Sequence, residues 1–98
     1  MAEIRVLPPA AKYIRKCRDK KLQSLFKDTL EKLQVNPYLG KLKTGDLAGI
    51  YSCDIYYNKT NYELAYTVHI NENGEIVVVI LAGTRENFYE QLKRYMKN

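Results

Sequence analysis

N-Y-E-L-A-Y-T-V-H-I at residues 61–70 runs into the turn N-E-N-G at 71–74, the run E-I-V-V-V-I-L-A at 75–82 and G-T-R-E-N-F-Y at 83–89. In the first segment Tyr62, Leu64, Tyr66, Val68 and Ile70 share one parity, and Asn61, Glu63, Thr67 and His69 the other. That alternation predicts a half-buried strand, apolar below and polar above. Ile76 to Ala82 is apolar throughout, which predicts an inner strand covered on both faces. The turn between them ends in Gly74, free to take positive φ. Gly83 should break the second strand and Thr84 cap a helix that contains Phe88, Leu92, Tyr95 and Met96.

Moving back along the chain, Tyr51, Cys53, Ile55 and Tyr57 alternate with Ser52, Asp54 and Tyr56, which predicts a third strand with the polar set outward. A tight turn at Asn58-Lys59-Thr60 would make Asp54 and Glu63 cross-strand neighbours. Residues 37–49, P-Y-L-G-K-L-K-T-G-D-L-A-G, read as a loop in which Lys41 and Lys43 share a parity. Leu22, Leu25, Phe26, Leu30 and Leu33 form one helical stripe, which Asn36-Pro37 ends. Ala10, Tyr13, Ile14 and Cys17 form another, opened by Pro8-Pro9, with Asp19-Lys20-Lys21 as the corner between the two. Glu3 to Leu7 is a short first strand. The order β-α-α-β-β-β-α predicts an α+β fold, a helical hairpin packed on a mainly antiparallel four-stranded sheet.

Ninety-eight residues make a single domain, 1–98, with one core. The longest apolar run is far too short for a membrane span and the start carries no signal-peptide pattern, so a cytoplasmic protein is expected. Cys17 and Cys53 form no C-x-x-C pair and read as reduced, packed thiols. With one His and no suitably spaced Cys, no metal site is expected; no glycine-rich phosphate loop suggests a cofactor, and nothing resembles a serine or cysteine nucleophile elbow. A formal charge of +5 fits a polyanion or an acidic protein as partner, and equally a soluble surface that happens to be basic.

What remains is a cluster on the polar sheet face and its edge: Asp54, Glu63, Thr67, His69, Arg85 and Tyr89, rimmed by Lys41, Lys43 and Lys59. Cleaving RNA without metal needs a base for the 2′-hydroxyl, a cation for the phosphoryl oxygens and an acid for the leaving 5′-oxygen. Arg85 suits the phosphate, because guanidinium is always charged and matches its geometry. Tyr89, one helical turn on, can orient that phosphate or stack on a base. Glu63 or His69 is the candidate base. The competing structural reading pairs Arg85 with Glu63, wedges Tyr89 between helix and sheet, and leaves His69 solvated.

The early helical hairpin, Y-E-L-A-Y, V-V-V-I-L-A-G and the closing G-T-R-E-N-F-Y-E-Q-L-K-R together resemble the RelE/ParE superfamily, the toxins of bacterial type II toxin–antitoxin systems. The resemblance implies a RelE-like fold and a small cytoplasmic toxin neutralised by a cognate antitoxin. RelE-like members cleave mRNA on the ribosome, and ParE-like members inhibit DNA gyrase. Arg85 stands where RelE-like toxins place a catalytic Arg or His, and Tyr89 near their C-terminal aromatic. At position 63 the family usually has a basic residue and this chain has Glu63; Ser52 and Asp54 also replace basic residues. The resemblance therefore implies an mRNA interferase with Arg85, Tyr89 and Glu63 catalytic and Lys41, Lys43 and Lys59 on the RNA. The alternatives are a ParE-like gyrase inhibitor or a degenerate antitoxin-binding module.

Overall fold

The computed structural model describes residues 1–97. Within them, strands β1 (Glu3–Val6), β2 (Lys41–Leu42), β3 (Tyr51–Tyr57), β4 (Thr60–Asn71) and β5 (Gly74–Thr84) form one sheet in the order β1-β5-β4-β3-β2. Only β1 and β5 run parallel. Helices α1 (Pro8–Lys16) and α2 (Lys20–Val35) make the hairpin, a 3₁₀ turn covers Gly45–Leu47, and α3 (Phe88–Met96) closes the chain. The α+β class and the element order are those read from the sequence. The strand count is corrected from four to five, because Lys41 and Leu42, read as loop, pair with Ser52 and Tyr51. A strand of two residues is too short to show a period. Among the described residues, no helix is long and apolar enough to cross a membrane.

Local chemistry explains most boundaries. Prolines occupy the first positions of α1, where a missing N–H costs nothing. Asp19 caps α2, accepting from the Lys21 and Leu22 N–H groups at 3.0 and 3.2 Å, and also from the Tyr57 hydroxyl at 2.8 Å. That single carboxylate ties the helical corner to β3. Asn58 and Lys59 both take positive φ, 51° and 61°, which gives the primed turn that suits a two-residue hairpin. It sets Asp54 directly opposite Glu63. Thr84 is the last residue of β5 and does not cap α3; Asn87, at φ 61°, precedes the helix instead. Nor does Gly83 break the strand: it pairs with Glu63 inside β5, under the Phe88 ring, 3.7 Å from where a Cβ would sit.

A β-bulge in β5 decides which side chains face which layer. Ala65 opposes Leu81 and Tyr66 opposes Val79, so Ile80 is an extra residue. Before the bulge Val77 and Val79 join the hairpin core; after it Ala82 does, and Leu81 and Gly83 turn to the other face. The hairpin core joins Ala10, Ile14, Leu22, Phe26 and Leu33 to Leu64, Tyr66, Val77 and Val79. Phe26 sits edge-on between Tyr13 and Tyr62, 6.1 Å from each.

The opposite face is not the wet surface that the parity predicts. Leu47, Ile50, Ala65, Ile80, Phe88 and Leu92 form a second core there, roofed by α3. Glu63 and Ser52, expected outward, are 1% and 4% exposed. Conversely Ile70, expected inward, is 76% exposed, because β4 runs on past the helical layer.

Candidate active site

The site assembles at the edge of the α3 roof from three strands and the first turn of the helix. Arg85 extends the β4–β5 ladder by one rung, its N–H donating to the Asn61 carbonyl at 2.9 Å. Beyond the bulge odd-numbered residues face the roof, so the Arg85 side chain leans over Glu63. Its Nε and Nη2 donate to Glu63 Oε2 at 3.4 and 3.2 Å. The same Nη2 lies 3.3 Å from Asp54 Oδ1. Tyr89 donates its hydroxyl to Glu63 Oε1 at 2.6 Å, and Ser52 Oγ lies 3.3 Å from that hydroxyl. Both oxygens of Glu63 therefore have partners, as a buried carboxyl requires.

Two lysines approach this cluster from β2 and the loop after it. Lys41 pairs with Ser52 and so shares its face. The Lys43 backbone N–H donates to the Ile50 carbonyl at 2.8 Å, and its ammonium lies 4.8 Å from the centre of the Tyr89 ring. Their anchor is Gly40, whose N–H donates to the Tyr66 hydroxyl at 2.8 Å. A Cβ there would sit 2.7 Å from the Ser52 carbonyl oxygen, so only glycine lets the loop lie this close to β3.

Electrostatics separates the two acids. Burial pushes the Glu63 carboxyl above the usual carboxylate range; bonding to Asp54 adds to this, while Tyr89 and Arg85 oppose it. Asp54 is held below its ordinary value, first by the bond with Glu63 and then by Arg85. A proton added to the pair goes to Glu63, and Asp54 stays charged. Cys53, on the far face of β3, is pushed up to about 11 by burial and is an inert thiol.

Of the residues singled out in the sequence, the structure thus brings together Asp54, Glu63, Arg85, Tyr89 and Lys43, with Lys41 alongside. It leaves others out. Lys59 sits in the turn beyond the Tyr57–Thr60 pair, more than ~10 Å along the strand from Asp54. Thr67 and His69 bond each other at 3.0 Å, and His69 pairs with Ile76, well along β4 from Glu63. Ser52 is the site residue the sequence reading passed over. Among the described residues, no group of three or more His, Cys, Asp or Glu is placed to hold a metal.

Comparison with known proteins places this architecture. A family model described as the ParE-like toxin of type II bacterial toxin–antitoxin systems matches residues 4–93. The fold is similar to a YoeB/ParE toxin from Agrobacterium tumefaciens, with TM-score 0.71 and 17% identity over 85% of this chain and 98% of that one. A mutant of the E. coli toxin RelE in the free state aligns with TM-score 0.67 and 22% identity over 96% and 98% of the two chains. The toxin–antitoxin complex RelBE2 from Mycobacterium tuberculosis contains a chain that aligns with TM-score 0.63 and 24% identity, over 86% and 98%. No curated protein sequence matches.

Proposed function

The chain belongs to the ParE-like toxin family of type II bacterial toxin–antitoxin systems, and we propose that it arrests translation by cutting mRNA on the ribosome without a metal. One observation carries this reading. A half-exposed guanidinium and a tyrosine hydroxyl converge on one buried carboxyl, at 3.2 and 2.6 Å, at an open sheet edge flanked by Lys41 and Lys43. Arg85 would hold a phosphoryl oxygen and stabilise the charge that builds on it. Glu63 lies too deep to touch substrate and acts through Tyr89. As the Tyr89 oxygen takes the 2′-hydroxyl proton, the Tyr89 proton passes along the 2.6 Å bond to Glu63, whose raised affinity for a proton suits an acceptor. The 2′-oxygen bonds phosphorus as the P–O5′ bond breaks, and the leaving 5′-oxygen takes its proton from water at the open edge. Lys41 and Lys43 offset neighbouring phosphates. A cognate antitoxin is the expected protein partner, as the RelBE complexes among the structural neighbours suggest.

Controlled expression should stop protein synthesis and leave mRNA cut within ribosome-bound codons, and Arg85→Ala and Tyr89→Phe should each relieve both effects. Full toxicity in both variants would overturn the mechanism. The ParE-like description of the family favours a second reading, in which the chain inhibits DNA gyrase by binding it. Loss of supercoiling activity with translation intact would select that reading.

A further inference from the structure

The two carboxylates on Arg85 are not equivalent. Glu63 is 1% exposed and grips the guanidinium from beneath, together with Tyr89. Asp54 meets the same Nη2 from the solvent side, in a pair whose side chains are 52% and 51% exposed. Glu63 therefore holds Arg85 in place by hydrogen bonds, whereas Asp54 Oδ1 makes an ion pair with Nη2 on the side from which an oxyanion would arrive. We propose that Asp54 is a built-in competitor for phosphate: a phosphodiester oxygen binds Arg85 by displacing Asp54 Oδ1 from Nη2, so Asp54 sets the affinity of the site for RNA.

Three observations support the exchange. A carboxylate oxygen and a phosphate oxygen fit the same guanidinium donors, so each can replace the other. A half-exposed ion pair is weak, so it can be displaced without unfolding anything, and Glu63 keeps Arg85 and Tyr89 on its two oxygens when Asp54 leaves it. Asp54 also has somewhere to go. A cleft of about 250 Å³ at the open edge of β3 is lined by Asp54, Ser52, Lys41 and Lys32, and the charge of Lys41 already acts on Asp54. Within that cleft the displaced carboxylate would face two ammonium groups. Glu63 cannot play this part, because it is buried and both its oxygens are bonded.

The proposal rests on the reading of Arg85 as a phosphate clamp but concerns binding alone, so it is tested on RNA that cannot be cut. A labelled single-stranded 2′-O-methyl RNA oligonucleotide lacks the nucleophile, and its anisotropy reports affinity. Asp54→Asn, which keeps the shape and removes the charge, should tighten binding by about 3- to 10-fold at low salt. The gain should vanish on an Arg85→Ala background. Asp28→Asn, on α2 and outside the cluster, removes the same charge and should change affinity by less than about 2-fold. Unchanged or weaker binding by Asp54→Asn with an unaltered melting temperature would overturn the proposal. So would an equal gain in Asp28→Asn, an equal gain without Arg85, or no binding by any variant. If Asp54→Asn melts early, Asp54→Ser repeats the measurement. Tighter binding by Asp54→Asn with no cleavage on ribosomes would sink the nuclease reading and leave this one standing. Arg85-dependent cleavage with no Asp54 effect would do the reverse.

Discussion

Glu63 is the residue on which the local chemistry turns, and its behaviour with pH follows from where it sits. Its folded pKa lies above the ordinary 4.5, so as pH rises the unfolded chain releases this proton before the folded chain does. The group therefore subtracts stability from pH 4.5 upward until the folded carboxyl has also ionised. Asp54, held below its ordinary 3.8, works the other way: it contributes stability above that value, lost as pH falls through its folded pKa. Glu63→Gln should thus remove the decline above pH 4.5, visible as urea midpoints that no longer fall with rising pH. Tyr89→Phe removes the donor to Glu63 Oε1 and the hydroxyl that Ser52 Oγ meets. Hydrogen bonds to charged groups are worth about 1.5–3 kcal/mol, and a loss of that size should appear in urea titrations at neutral pH. A loss below about 0.5 kcal/mol would mean that the buried oxygen finds another partner. At this scale the sequence was partly readable. The turn at Asn58-Lys59 already implied that Asp54 faces Glu63, but nothing local to Ser52 indicates that its hydroxyl meets Tyr89 from 37 residues away.

At the scale of elements, the short strand β2 matters more than its length suggests. It carries Lys41 to the site, continues into Lys43, and is anchored through Gly40, whose N–H reaches the Tyr66 hydroxyl. Tyr66 is itself fully buried and stacks on Tyr51 at 5.4 Å, so the anchor is rigid. Gly40→Ala would put a Cβ 2.7 Å from a carbonyl oxygen and 2.8 Å from the tyrosine oxygen. Overpacking of this kind costs about 1–3 kcal/mol, and the displaced segment should also lose amide protection around Lys41–Lys43 in hydrogen exchange. An unchanged denaturation curve would show that the loop stands off from β3. The helical hairpin, by contrast, was legible almost residue by residue. Leu22, Phe26 and Leu33 recur at the period of a helix with one dry face, and the same three are buried. A strand that makes one short ladder leaves no such trace.

Over the whole molecule, the sheet carries a core on each face, and the second core creates the site. Phe88 and Leu92 cover Ala65 and Ile80, and that roof excludes water from Glu63. Leu92→Ala should cost about 2–5 kcal/mol by opening a cavity under α3. It should also let water back toward Glu63, so its carboxyl resonance should titrate closer to the ordinary 4.5 than in the parent chain. A destabilised variant with an unmoved Glu63 titration would separate the roof from the site. Ala65 was the clue to this layer: an apolar residue on the polar parity of β4, beside Glu63 in sequence and beneath α3 in space.

The sequence by itself determined the class, the order of elements, the dry face of the hairpin and the opposition of Asp54 to Glu63. Each of these follows from a repeat or a turn that neighbouring residues encode among themselves. Only the tertiary structure decided that Ile80 bulges from β5, that α3 folds over the supposedly wet face, and that Arg85 consequently meets both carboxylates. A bulge shifts every later side chain to the other side of a strand, and a roof converts a polar position into a buried one. Both depend on contacts between segments far apart in the chain, and hydrophobic periodicity records only what lies nearby.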